Sequence, residues 1–176
     1  MAHRLLRIYG DPVLREKSSP IEAITEEVKQ LAREMIEFGD DNNGIGLSAI
    51  QFGIPIRLFV LRNYIIMPDG TWTASSPQVF INPKIRSVSK ETEIDDEGCM
   101  SIPGIRVEVE RPVKIKIEAT DLSGETFVEE IEGLNARVRL HENDHLNGVL
   151  TVDRTSPKEK KRVETQLRAL KKRSKS

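Results

Sequence analysis

From Ile105 to Gly133 the chain reads IRVEVERPVKIKIEATDLSGETFVEEIEG, and apolar and polar residues alternate through most of it. A period of two puts alternate side chains on opposite faces of a pleated ribbon. The stretch therefore predicts several short strands, with Asp121-Leu122-Ser123-Gly124 as a turn. Upstream, IPIRLFVL (54–61) predicts a buried strand, and VFINPKIRSVS (79–89) predicts a strand, a break at Pro83 and a second strand. Residues 63–78 are expected to be a loop or hairpin.

Three segments carry helical periodicity instead. In ITEEVKQLAREMIEFGDDNNG, Val28, Leu31, Ala32, Met35 and Ile36 keep helical spacing. Thr25 is placed to cap this helix and Glu26 and Glu27 suit its first turn, while Gly39 and DDNNG end it. A second helix is expected from Leu134 to Asn147, closed by Gly148. Ser156, Pro157 and Glu159 form a start signal for a third, with Ser156 and Glu159 as a capping box. Val163, Leu167 and Leu170 give that last segment a thin apolar stripe. The expected fold class is α+β: short antiparallel strands around a buried metal-binding helix, with an N-terminal helix and a C-terminal helix.

The chain has 176 residues, which suits one domain, and its 38% apolar and 31% charged content suits a soluble globular protein. It contains no apolar run long enough to span a membrane, and MAHRLLRIYGDP has no secretory pattern. The single cysteine, Cys99, excludes an internal disulfide, and a cytoplasmic location is expected. Charge is unevenly spread. Residues 157–176 hold nine Lys/Arg and two Glu, while the other 156 residues carry 18 basic and 26 acidic side chains. The expected organisation is a body of residues 1–156 with a basic C-terminal helix or tail, 157–176.

Two of only three histidines, His141 and His145, lie four residues apart in HENDH. On a helix, Leu134, Val138, His141 and His145 fall in one narrow stripe, so the imidazoles are expected to point into the protein while Asn143 faces away. His-Glu-x-x-His puts two imidazoles within reach of one metal ion, with Glu142 beside them. A catalytic ion usually has a third protein ligand and an open position. No histidine follows His145, and His3 is at the far N-terminus. The candidate is Cys99, in DDEGCMSIPG, a segment with breakers at Gly98, Pro103 and Gly104. A third segment, GIGLSAIQ (44–51), reads as a turn whose glycines let backbone approach a ligand closely. It lacks the Gly-Lys-Ser/Thr of a phosphate loop.

In this order, GIGLSAIQ, EGCMS and HENDHLNG resemble the three motifs of the peptide deformylases, metal enzymes that remove the N-formyl group from nascent bacterial polypeptides. RIYGDPVLR and FINPKI are also similar to that family. Ser48, Met100, Leu140 and Asn143 depart from the usual Ala, Leu, Gln and apolar residue. The resemblance implies Cys99, His141 and His145 as ligands of one divalent ion, Fe²⁺ before Ni²⁺, Co²⁺ or Zn²⁺, with water in the fourth position. It implies Glu142 as general base and acid, and the Gln51 side-chain amide and Met100 backbone N–H as donors to the formyl oxygen. An extended formyl-Met peptide is expected to lie against Gly44, Ile45 and Gly46 on one side and Gly98 on the other. Glu97, Arg106, Arg111 and Asp144 are expected as neighbouring or rim charges, with Glu97 and Arg106 at the substrate. The basic tail is expected to contact the ribosome. An endopeptidase would share His-Glu-x-x-His, but not the cysteine or the Gln-bearing loop.

Overall fold

The computed structural model describes residues 4–175, so His3 and Ser176 lie outside the described residues. Helix α1, Glu26–Asp41, starts where the sequence signals it: the Thr25 side chain accepts from the Val28 N–H. It buries Leu31, Ala32 and Met35. The helix continues through Gly39 and stops at Asn42, with Asn43 at positive φ.

Five strands form one antiparallel sheet in the order β1-β2-β5-β8-β9. They are β1 (Gly46–Ser48), β2 (Leu58–Leu61), β5 (Gln78–Val88), β8 (Lys114–Thr120) and β9 (Thr126–Glu132). Pro83 does not break β5. Its register against β8 shifts between Ile81 and Lys84, with Asn82 at φ 50°, so the missing N–H is absorbed by a bulge. Two further hairpins stand apart. β3 (Tyr64–Ile66) pairs with β4 (Trp72–Ala74), and β6 (Thr92–Gly98) pairs with β7 (Arg106–Pro112). Strand β6 carries four carboxylates in seven residues and no alternation, so the sequence pattern does not announce it.

Helix α2, Gly133–Leu146, lies between the large sheet and the β6–β7 hairpin. Ala136 and Leu146 join Phe59, Phe80, Ile115 and Ile117 in one apolar cluster. A second cluster sits between α1 and β1–β2. A third forms where β7 meets the C-terminal segment. There the helices are α3 (Thr151–Arg154), α4 (Pro157–Arg162) and α5 (Glu164–Arg173). Val163, Leu167 and Leu170 are buried as the stripe requires, but Val163 interrupts the helix, so the expected single helix is two. Ser156 caps α4 by accepting from the Glu159 N–H. The Glu159 carboxylate does not complete a capping box. It accepts from Arg162 and from the Glu108 N–H of β7, docking α4 on that strand. No helix among the described residues is long and apolar enough to cross a membrane.

Candidate metal centre

Helix α2 presents Val138, His141 and His145 inward as its periodicity predicts. Leu134 departs from this, standing 42% exposed at the mouth of a cleft of about 540 Å³. Cys99 follows the end of β6 and meets the histidines across that cleft floor. Its Sγ lies 3.4 Å from His145 Nε2, and the two Nε2 atoms are 3.3 Å apart. All three donor atoms fall within 4.8 Å of one another. Ligands held at about 2.0–2.3 Å in a tetrahedron would stand about 3.3–3.7 Å apart. The trio therefore fits one four-coordinate ion. Cys99 and His141 line the cleft, so an open position would face it.

The surrounding charges suit a cation. Burial pulls the His141 ring down, but Cys99, Glu97 and Glu142 outweigh it and hold the ring well above the usual imidazole range. His145 is driven well below that range by burial and by the charge on His141. The cluster accepts positive charge but resists a proton on each ring, a demand that one ion shared by all three donors would meet.

Behind the histidines lies a buried ionic network. His141 Nδ1 is 3.0 Å from Glu97 Oε1. Arg111 donates to both Glu97 oxygens, at 2.8 and 2.9 Å, and to Asp144 Oδ2 at 2.7 Å. Arg137 donates to Glu97 Oε2 at 2.7 Å, and Arg154 holds Asp144 from its far side. Burial pushes Glu97 up, but Arg111 and His141 outweigh it and keep the carboxyl far below the usual range. Glu97 is among the residues lining the cleft. Its carboxylate is nonetheless committed to the second layer around the histidines, not free for a ligand. Arg137 and Arg154 were not legible as participants, because a charged residue on a helix ordinarily faces water. Arg106 does line the cleft, but it is exposed and paired with Asp96.

Glu142 is buried beside the trio, and burial raises its carboxyl above the usual range against the opposing pull of His141 and Ser48. Its Oε2 accepts from Ser48 Oγ at 2.6 Å. Gln51 Oε1 accepts from the Ser48 N–H at 2.9 Å, which turns Nε2 toward Ser101 Oγ, 3.0 Å away, and Cys99 Sγ, 3.8 Å away. The glycines serve close packing. A Cβ on Gly46 would stand 2.7 Å from Glu142 Oε1, one on Gly44 2.7 Å from Met100 Cε, and one on Gly98 2.6 Å from an Arg106 nitrogen. None of the three has positive φ, so none serves a turn; the buried Glu142 carboxylate leaves least room at Gly46, whereas at Gly44 and Gly98 the near atoms are the ends of flexible side chains.

The model of the polypeptide deformylase family matches residues 4–161. The chain belongs to that family. It is 44% identical over 163 residues to the peptide deformylase of Bradyrhizobium diazoefficiens, covering 93% of each chain. It is 43% identical over 152 residues to that of Thermotoga maritima, covering 86% of this chain and 87% of the other. The crystal structure of Arabidopsis thaliana peptide deformylase 1B in complex with an inhibitor superimposes with a TM-score of 0.86 at 39% identity. That match covers 96% of this chain and 90% of the plant chain. This deformylase is thus a metal-dependent hydrolase that removes the N-formyl group from nascent polypeptides, and its Cys-His-His cluster is the metal-binding group available for that work.

Proposed function

We propose that Cys99, His141 and His145 hold one divalent ion, Fe²⁺ in the native enzyme, and that Glu142 moves the proton in formyl hydrolysis. The observation that carries this reading is the convergence of the three donors within 4.8 Å beside a buried carboxylate that is not itself a ligand. A bound divalent ion supplies Lewis acidity and makes water a nucleophile near neutral pH. One thiolate and two imidazoles also accept Ni²⁺, Co²⁺ or Zn²⁺, and the family resemblance favours iron.

Glu142 Oε2 is occupied by the Ser48 hydroxyl, so Oε1 is the atom that takes the water proton. It then returns that proton to the departing amine nitrogen as formate leaves. The Gln51 Nε2–H and the Met100 backbone N–H receive the oxyanion that develops on the formyl oxygen. Gly44, Ile45, Gly46 and Gly98 offer backbone to the extended peptide, with Arg106 at the rim. Main-chain recognition tolerates many sequences. Residues 1–156 form the catalytic body, and the basic segment 157–176 holds the enzyme to ribosomal RNA in the cytoplasm.

Metal content and formate release, measured together on anaerobically purified protein with a formyl-Met peptide, test the reading. Glu142→Gln is expected to keep its metal and lose roughly 10²–10⁴ in kcat. Full turnover in that variant would assign the proton to another group.

A further inference from the structure

The cleft continues onto a surface that its chemistry does not require. Tyr64 and Leu134 line the cleft, and Tyr64 is also the first residue of β3. From Asn63 to Pro77 the sequence NYIIMPDGTWTASSP carries one charged residue, Asp69, in a chain that is 31% charged. Asp69 is spent locally, accepting from the Thr71 N–H and hydroxyl in the turn. The register pairs Tyr64 with Ala74 and Ile66 with Trp72, so Tyr64, Ile66 and Trp72 share one face. The Tyr64 and Trp72 rings meet edge to face at 4.9 Å.

Nine large hydrophobic residues are exposed among the described residues. Ile66 and Trp72 on this face and Leu134 at its inner end are three of them, while Ile65 is exposed on the opposite face of the hairpin. Ile66 is 66% exposed and Trp72 57%. Singly scattered apolar residues need no explanation, but a contiguous group marks an interaction surface. A two-stranded hairpin is marginal by itself in water. This one is anchored where α2 begins: Asn135 accepts from the Tyr64 N–H at 2.8 Å and donates to the Tyr64 carbonyl at 3.0 Å. The anchor sets Leu134 and Tyr64 as the inner end of an apolar ledge that runs outward to Trp72 and Ile66.

We infer that this ledge is an extended substrate surface, taking apolar side chains of the polypeptide downstream of the residues the cleft itself holds. A chain whose formylated end sits beside Cys99 and His141 must leave through the cleft mouth, and the ledge is continuous with that mouth. Its near-absence of charge suits apolar side chains. The inference rests on the deformylase reading of the cleft.

The test uses the metal-loaded enzyme and three peptides: a formyl-Met tripeptide, the same peptide extended by five residues rich in Leu and Phe, and the same extended by five Ser and Gly. The apolar extension is expected to raise kcat/KM about fivefold or more over the polar one, mainly through KM, as partial burial of one or two side chains would. Trp72→Ser and Ile66→Ser should lose that preference yet turn over the tripeptide normally, and Trp72→Phe should keep it. Trp72 is the only tryptophan. Its emission should therefore shift to the blue when the apolar-tailed peptide binds Glu142→Gln enzyme, and stay in place with the polar-tailed one. Equal kcat/KM for the two tails, or a preference surviving both serine variants, overturns the inference. So does a concentration-dependent dimer that Trp72→Ser abolishes, if the tails are equivalent, since the ledge would then serve a second copy. Failure of the wild-type enzyme to release formate from the tripeptide would strike the deformylase reading instead.

Discussion

Ser48 donates through its hydroxyl to Glu142 and through its backbone N–H to Gln51, so one residue in a short strand orients two others. From the sequence, Ser48 is only a small departure from alanine. The contact with Glu142 spans 94 positions and depends on α2 passing over β1. Cys99 was legible by a different route, because two histidines on one helix face require a partner and the chain has one thiol. Cys99→Ser is expected to lose most bound metal, since a hydroxyl replaces a thiolate in a site where His145 Nε2 stands 3.3–3.4 Å from each of the other two donors. Metal analysis after dialysis reads this directly, and an unchanged content would mean that the ion is held elsewhere. Activity of the iron form should also decline in air, because an Fe²⁺-bound thiolate oxidises.

At the scale of elements, β6–β7 acts as a clamp on α2. Glu97 comes from β6, Arg111 from β7, and Arg137, His141 and Asp144 from α2, and all but His141 are buried. Removing one member of such a network strands the rest. Glu97→Gln is expected to weaken metal binding about 10–100-fold through His141. It should also cost roughly 3–5 kcal/mol of folding stability, because Arg111 and Arg137 lose their shared carboxylate. Metal titration and urea unfolding separate the two effects, and wild-type affinity in the variant would remove Glu97 from any part in orienting His141. The joint between β7 and α4 responds to acid. Arg162 and the Glu108 N–H hold the Glu159 carboxyl at about 2, below its free value of 4.5. Its contribution is therefore present above pH 4.5 and lost as pH falls toward 2. Amide exchange in α4 and α5 should rise across that window, and a Glu159→Gln variant should show the faster exchange already at pH 7.

For the whole molecule, charge is divided between an acidic body and a basic end. The buried stripe of Val163, Leu167 and Leu170 fixes the C-terminal segment to β7 and leaves Lys160, Lys161, Arg168 and Lys171 exposed. A truncation after Leu170 removes Lys171, Lys172, Arg173 and Lys175 but spares the stripe. It is expected to weaken co-sedimentation with ribosomes, with full-length binding falling steeply as salt rises, while turnover of a short formyl-Met peptide stays near wild type. Equal co-sedimentation of both forms at low salt would leave the segment a structural element only.

The sequence by itself determined the helix starts at Thr25 and Ser156, the alternation of β7, β8 and β9, and the helix that carries both histidines. These features depend on neighbours within a few residues: a cap, a period of two, a period of 3.6. It also pointed to Cys99 as the candidate third donor beside His141 and His145, and the fold brings the three donor atoms within 4.8 Å of one another. Tertiary structure decided the rest. Strand β6 exists only because β7 pairs with it, since four carboxylates in seven residues have no local reason to extend. Gly44, Gly46 and Gly98 read in the sequence as places for close backbone approach, and the folded chain sets particular side chains against them, Met100, Glu142 and Arg106. Arg111 and Asp144 are expected from the sequence as neighbouring or rim charges and Arg137 is not singled out; all three are buried, because each meets an opposite charge only after β6–β7 folds against α2. Burial of charge is set by partners distant in sequence, and no local pattern encodes it.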